Sequence, residues 1–218
     1  MKYLKAFLII FIINMLIGSL FYLLFPDYRT YLIKEDSLIE NLSAISYLST
    51  FFLSSIFLFK GTQHKKPLIL IAFLGLLGCL DEISFGERLF KLNMPRINGV
   101  KLDSAHDFVS IGHKEITKLA NNDPNYLFLL LGIGGIVLAT VTFRYKKQLK
   151  QALSYVYYEP PFILGFLFIL LLCLALLIDL GLVDYYALRA IEELFEMNAA
   201  LALFFCSFSL QKQRPCKQ

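Results

Sequence analysis

Paired cysteines are missing from this chain. Its four, Cys79, Cys173, Cys206 and Cys216, are scattered, none has metal-site spacing and no two suggest a bridge. That excludes a disulfide framework and a cysteine-based zinc site, and leaves the thiols as small apolar filler. Low-complexity tracts and internal repeats are also missing. Residues 1–218 therefore read as a single helical bundle, too short for a second domain. No A-x-A cleavage site follows the first apolar run, so Lys2 and Lys5 precede an uncleaved span and not a removed signal peptide.

Apolar residues are abundant instead. They make up 57% of the chain, with a mean hydropathy of +0.63, outside the range of an ordinary soluble domain. Crossing a hydrocarbon core of about 30 Å takes about 20 apolar residues. Six runs are candidates: Ala6–Phe25, Leu38–Phe59, Pro67–Glu82, Asn125–Phe143, Pro161–Leu182 and Tyr186–Leu210. The fold class predicted is all-α: a polytopic membrane protein of six transmembrane helices, with an outward helical or re-entrant segment, about 83–124, between helices three and four.

Lys and Arg orient it, because positive residues in short loops stay cytoplasmic. Lys2, Lys5, Lys60, Lys65, Lys66, Arg144, Lys146, Lys147, Lys150, Lys212, Arg214 and Lys217 fall on one side, accompanied by a single acid, Glu159. Both termini are thus expected inside a bacterial inner membrane. The pI of 8.8 then reflects topology and gives no reason to expect a nucleic-acid partner. In the outward segment, Ser84–Leu92 reads as an interfacial helix. Pro95, Asn98 and Gly99 break the chain, and Asp103–Ala120 reads as a second amphipathic helix capped by Asp103 or Ser104. Gly75 and Gly78 are small residues of the kind that let membrane helices approach closely.

This topology gathers the other sixteen of the seventeen acids on, or towards, the outer side. Glu40, Asp81, Glu82, Glu192, Glu193 and Glu196 fall inside apolar runs, where a charge costs about 2.5–3.5 kcal/mol at mid-span. Glu192 and Glu193 each share a helix face with Glu196. With His106 at the same depth, two chemistries are open. Glu82, His106, Glu193 and Glu196 are candidate ligands for a divalent metal, with Glu40 as a further ligand or a general base. Crowded carboxylates could equally share a proton for acid–base or relay work. The bland alternative is charges solvated at the lipid–water boundary, or paired with Arg88 and Arg189. His106 and His113 stand about 10 Å apart along a helix and cannot share one metal unless Gly112 breaks it. Asp179 reads as an isolated intramembrane acid paired with a neighbouring helix.

The run Cys79-Leu80-Asp81-Glu82-Ile83-Ser84-Phe85-Gly86-Glu87-Arg88 resembles the E-E-I-S-W-G-Q-R fingerprint of a family of uncharacterised multi-pass bacterial membrane proteins. Leu102-Asp103-Ser104-Ala105-His106-Asp107 is similar to that family's N-L-H-N element, and Ile191–Glu196 to its acidic final span. Asp81, Phe85, Glu87, Ser104 and Asp107 depart from the pattern. The resemblance implies no activity; it implies that these segments belong to one site. Membrane-embedded hydrolases of the alkaline ceramidase type carry H-x-x-x-H in their last span, where this chain has Glu192-x-x-x-Glu196, so a zinc site of their kind is not expected.

Three functions follow. The first is a metal-dependent hydrolase or transferase acting at the outer leaflet on a lipid or lipid-linked substrate. Glu40, Glu82, Arg88 and His106 would be its catalytic residues, with Arg88 holding an anionic head group. The second is a proton-coupled transporter. The third is a sensor or structural subunit that docks a membrane partner or a second copy of itself.

Overall fold

A computed structural model describes residues 1–29, 32, 37–62, 64–84, 94–97, 100–102, 104, 106–122, 140, 143, 144, 146, 159–179 and 186–212. Its helices are α1 (Lys2–Leu24), α2 (Leu38–Phe59), α3 (Lys65–Glu82), α4 (His106–Asn122), α5 (Pro160–Asp179) and α6 (Tyr186–Gln211). A 3-10 turn, Pro26–Tyr28, follows α1, where proline fixes the first φ. A two-residue antiparallel ladder precedes α4. It pairs Arg96 with Lys101 and Ile97 with Val100.

Among the described residues, four helices are long and apolar enough to cross a membrane: Lys2–Leu24, Leu38–Phe59, Pro160–Asp179 and Leu188–Gln211. α3 is 18 residues long but carries Lys65, Lys66, Asp81 and Glu82 at its ends. The expected span 125–143 lies outside the described residues apart from Thr140 and Phe143, as does the expected helix Ser84–Leu92 apart from Ser84. The expected helix Asp103–Ala120 is found as His106–Asn122. Ser104 sits at its start, where its N–H and Oγ both donate to the Asp107 carboxylate, at 2.9 and 2.8 Å. That is half of a capping box, so Asp107 serves to start the helix. α4 continues unbroken through Gly112, which keeps the backbones of His106 and His113 two turns apart.

α6 is the hub. It touches α1, α2, α3 and α5, and 61% of its apolar window is buried against 11% for α1. Ala199, Ala200 and Ala202 are fully enclosed. In lipid no hydrophobic drive pulls helices together, so small residues that allow close van der Waals contact decide which helix sits in the middle. At the lysine-bearing end, the ring of Phe208 packs on those of Tyr3, Phe57 and Phe204, at 5.7, 5.8 and 5.1 Å between centroids. α1 turns Ile9, Ile12, Leu16, Ile17 and Leu20 outward, each more than half exposed. A face of that kind suits hydrocarbon and would be a liability in water.

Polar clasps replace the missing hydrophobic drive. Asn14 on α1 donates through Nδ2 to Asn198 Oδ1 on α6 at 3.1 Å, and Asn198 donates to the Leu194 carbonyl at 2.6 Å. A double-mutant cycle on Asn14→Ala and Asn198→Ala, read by thermal unfolding in detergent, is expected to give a coupling of about 0.6 kcal/mol and no more than about 1.7. A coupling indistinguishable from zero would show that the clasp does not hold α1 to α6.

Candidate functional site

The acid-bearing end is built by three helix termini. Ser37 caps α2: its Oγ accepts the Glu40 N–H at 3.1 Å, which places Glu40 at the third helical position, as in an S-x-x-E capping box. Asn41 reinforces the cap by donating to the Ser37 carbonyl at 2.8 Å. α3 delivers Asp81 and Glu82 on its last turn, and the Ile83 N–H closes that turn on the Cys79 carbonyl at 3.2 Å. Ser84 follows with φ of 51°, in the left-handed region uncommon for a residue with a Cβ. α6 carries Glu192, Glu193 and Glu196 on its second and third turns.

Two glycines bring these helices together. A Cβ on Gly75 would lie 3.0 Å from both the Phe51 nitrogen and the Tyr47 carbonyl oxygen of α2, and one on Gly78 would lie 2.7 Å from the Tyr47 ring. Backbone therefore packs on backbone at the α2–α3 crossing, and the Tyr47 ring slides over Gly78 towards Glu82.

The result is a cavity of about 170 Å³ lined by Tyr47, Leu74, Leu77, Gly78, Asp81, Glu82, Phe168, Leu172 and Glu196. Three carboxylates and a phenol meet in a wall that is otherwise apolar among the described residues. The charges of Glu196, Glu193, Glu40 and Asp81 all act on Glu82, and those of Glu193, Glu192, Asp81 and Asp179 on Glu196. Tyr47 is 3% exposed. Neither its hydroxyl nor the Glu196 carboxylate makes a hydrogen bond among the described residues. Crowded like charges beside an unengaged hydroxyl are a costly arrangement in a low-dielectric interior.

The expected site residues divide accordingly. Glu82 and Glu196 meet in the cavity; Glu40 and Glu193 contribute charge from outside its lining. His106 is described by its backbone, as the first residue of α4, and Arg88 lies outside the described residues. Among the described residues no three His, Cys, Asp or Glu side chains are grouped to hold one metal ion. Asp179 is exposed at the described end of α5, and its charge acts on Glu196. Cys79, Cys173 and Cys206 are free thiols, and Cys206 donates to the Pro161 carbonyl at 3.2 Å.

Sequence reasoning missed Tyr47, Asn14 and Asn198. Tyr47 was within reach, being seven residues from Glu40 and so on the same helix face. Comparison with protein families, with curated proteins and with solved structures finds no match to this chain.

Proposed function

We propose that this chain is a six-span protein of the bacterial inner membrane, with both termini cytoplasmic, whose carboxylate cavity acts on the head group of an outer-leaflet lipid or lipid-linked substrate. α3 and the apolar stretch 125–143 complete the six spans, and the segment between them faces outward. The observation that carries this reading is the meeting of Asp81, Glu82 and Glu196 with Tyr47 in one small cavity.

Glu82 and Glu196 act as the acid–base pair. Held close in an apolar wall, two carboxylates keep one proton between them, so one can give a proton as the other takes one. The Tyr47 hydroxyl donates a hydrogen bond to charge that builds on the reacting group. Glu40 and Glu193 add negative charge that favours a cationic partner. With Glu193 and His106, the two cavity carboxylates also supply the oxygen and nitrogen donors that a divalent metal takes. Arg88 is assigned to an anionic part of the substrate.

The test is lipid turnover. Protein is reconstituted in a total bacterial lipid extract and the lipids are followed by mass spectrometry. The wild type is expected to consume at least one species that Glu82→Gln and Glu196→Gln leave untouched. An unchanged lipid profile for all three proteins would remove the enzymatic reading.

One observation favours a second reading, proton-linked transport. Below Tyr47, α2 buries Thr50 and Ser54 completely, and the Ser54 Oγ has no hydrogen-bond partner among the described residues. These hydroxyls continue the polar face away from the acids. Acidification of proteoliposomes by a pH step that Ser54→Ala slows would support this reading against the first.

A further inference from the structure

We propose that α4 is docked on the surface of the outer leaflet, with its apolar face among the lipid head groups and its cations on their phosphates; this rests on the outward placement of the segment after α3 proposed above. At about 100° per residue, Phe108, Val109, Gly112 and Ile116 fall within about 100° of the helix circumference. Phe108 is 61% exposed, Val109 43% and Ile116 46%. Among the described elements α4 packs on the short strand Val100–Lys101, and it makes no comparable contact with any span. Ile97, which pairs with Val100 in that ladder, is 45% exposed as well. An exposed apolar arc on a helix of little net hydrophobicity is the pattern of helices that lie in the membrane interface and do not cross it.

The polar side fits the same partner. Lys114 stands opposite the apolar arc and Lys118 on its flank; both are exposed, as is Arg96 beside Ile97. Asp107 is engaged in the cap with Ser104, and Glu115, which interrupts the arc, is half-buried. Long lysine and arginine side chains reach phosphates while their stems stay on apolar surface. Chain length also confines the helix. Asn122 ends it and Asn125 opens the apolar run 125–143, so covalent geometry holds the two within about 11 Å. With that run as a span, the C-terminal end of α4 stands at the bilayer boundary, and the lipid interface is the apolar surface within its reach. A helix lying in that plane carries its first residue, His106, at the depth of the head groups, where a lipid-directed site would use it.

The chain contains no tryptophan, so a single introduced one is a unique probe. Full-length Phe108→Trp, Ile116→Trp and Lys114→Trp, all at exposed positions, are reconstituted in vesicles with and without lipid brominated on its acyl chains. Bromine is expected to quench the first two several-fold more than Lys114→Trp, and aqueous iodide to show the reverse order. Iodide quenching of all three with no effect of bromine would put α4 in water and overturn the proposal. So would blue-shifted emission from Phe108→Trp and Ile116→Trp that neither quencher reaches, the result for a face covered by the bundle or by a second copy. Sidedness is read separately. Lys114→Cys in spheroplasts is expected to take a membrane-impermeant maleimide above the wild-type background. Protection there, with bromine quenching retained, would overturn the outward topology alone, since docking on lipid would stand.

Discussion

Glutamine in place of Glu196 is expected to raise the unfolding temperature in detergent while removing lipid turnover. Among the described residues, every charge that acts on Glu196 is another carboxylate, and none that lines its cavity is a cation. A mid-span carboxylate costs about 2.5–3.5 kcal/mol on insertion scales, part of which this cavity relieves by its opening. Replacing it by an isosteric amide is therefore expected to gain about 1–2 kcal/mol, the usual return from removing a destabilising functional group. For a chain of this size that is a rise of about 2–8 °C. If the acids instead anchored the helix end by pairing with Arg88 or Arg189, the same substitution would lower the unfolding temperature.

Leucine at Gly75 is expected to have the opposite and larger effect. The Cβ position already lies 3.0 Å from two backbone atoms of α2, and backbone cannot swing aside as a side chain can. Overpacking costs about 1–3 kcal/mol where neighbours can adjust. Here α2 and α3 must separate, so little monodisperse protein is expected on size exclusion. Gly78→Ala is milder, because its Cβ meets the Tyr47 ring and not backbone. That ring would be pushed into the cavity, and a loss of about 1–3 kcal/mol is expected together with a loss of lipid turnover. Wild-type stability in Gly75→Leu would mean that α2 and α3 do not cross where the glycines place them.

Helix positions were legible because bilayer thickness fixes the length of an apolar run. Leu38–Phe59 was read to the residue, and Pro67–Glu82 and Tyr186–Leu210 to within two residues at either end. The cap at Ser104 was readable because that residue stands directly ahead of an amphipathic period, whereas the Ser37 cap emerged only from the structure. What stayed hidden is azimuth. In a soluble helix the polar side marks solvent, but in a membrane helix the lipid face and the protein face are both apolar, so periodicity does not say which way Tyr47 or Asn198 points. Topology supplied depth alone. It set Glu40, Glu82, His106, Glu193 and Glu196 at one level, and only packing selects Glu82 and Glu196 to line a common cavity. The Asn14–Asn198 clasp joins residues 184 positions apart, a pairing no local pattern encodes.

The central claim is that Glu82 and Glu196 form one coupled acid site, and a double-mutant cycle on their glutamine variants tests it most directly. Reversible unfolding of the wild type, Glu82→Gln, Glu196→Gln and the double variant gives the coupling. Each single substitution is expected to stabilise, and the pair to stabilise by less than the sum, with a coupling of about 0.5–3 kcal/mol, because relieving the repulsion once leaves less to relieve. Two destabilising single substitutions that simply add would contradict the account and return these carboxylates to the membrane surface as ordinary anchors.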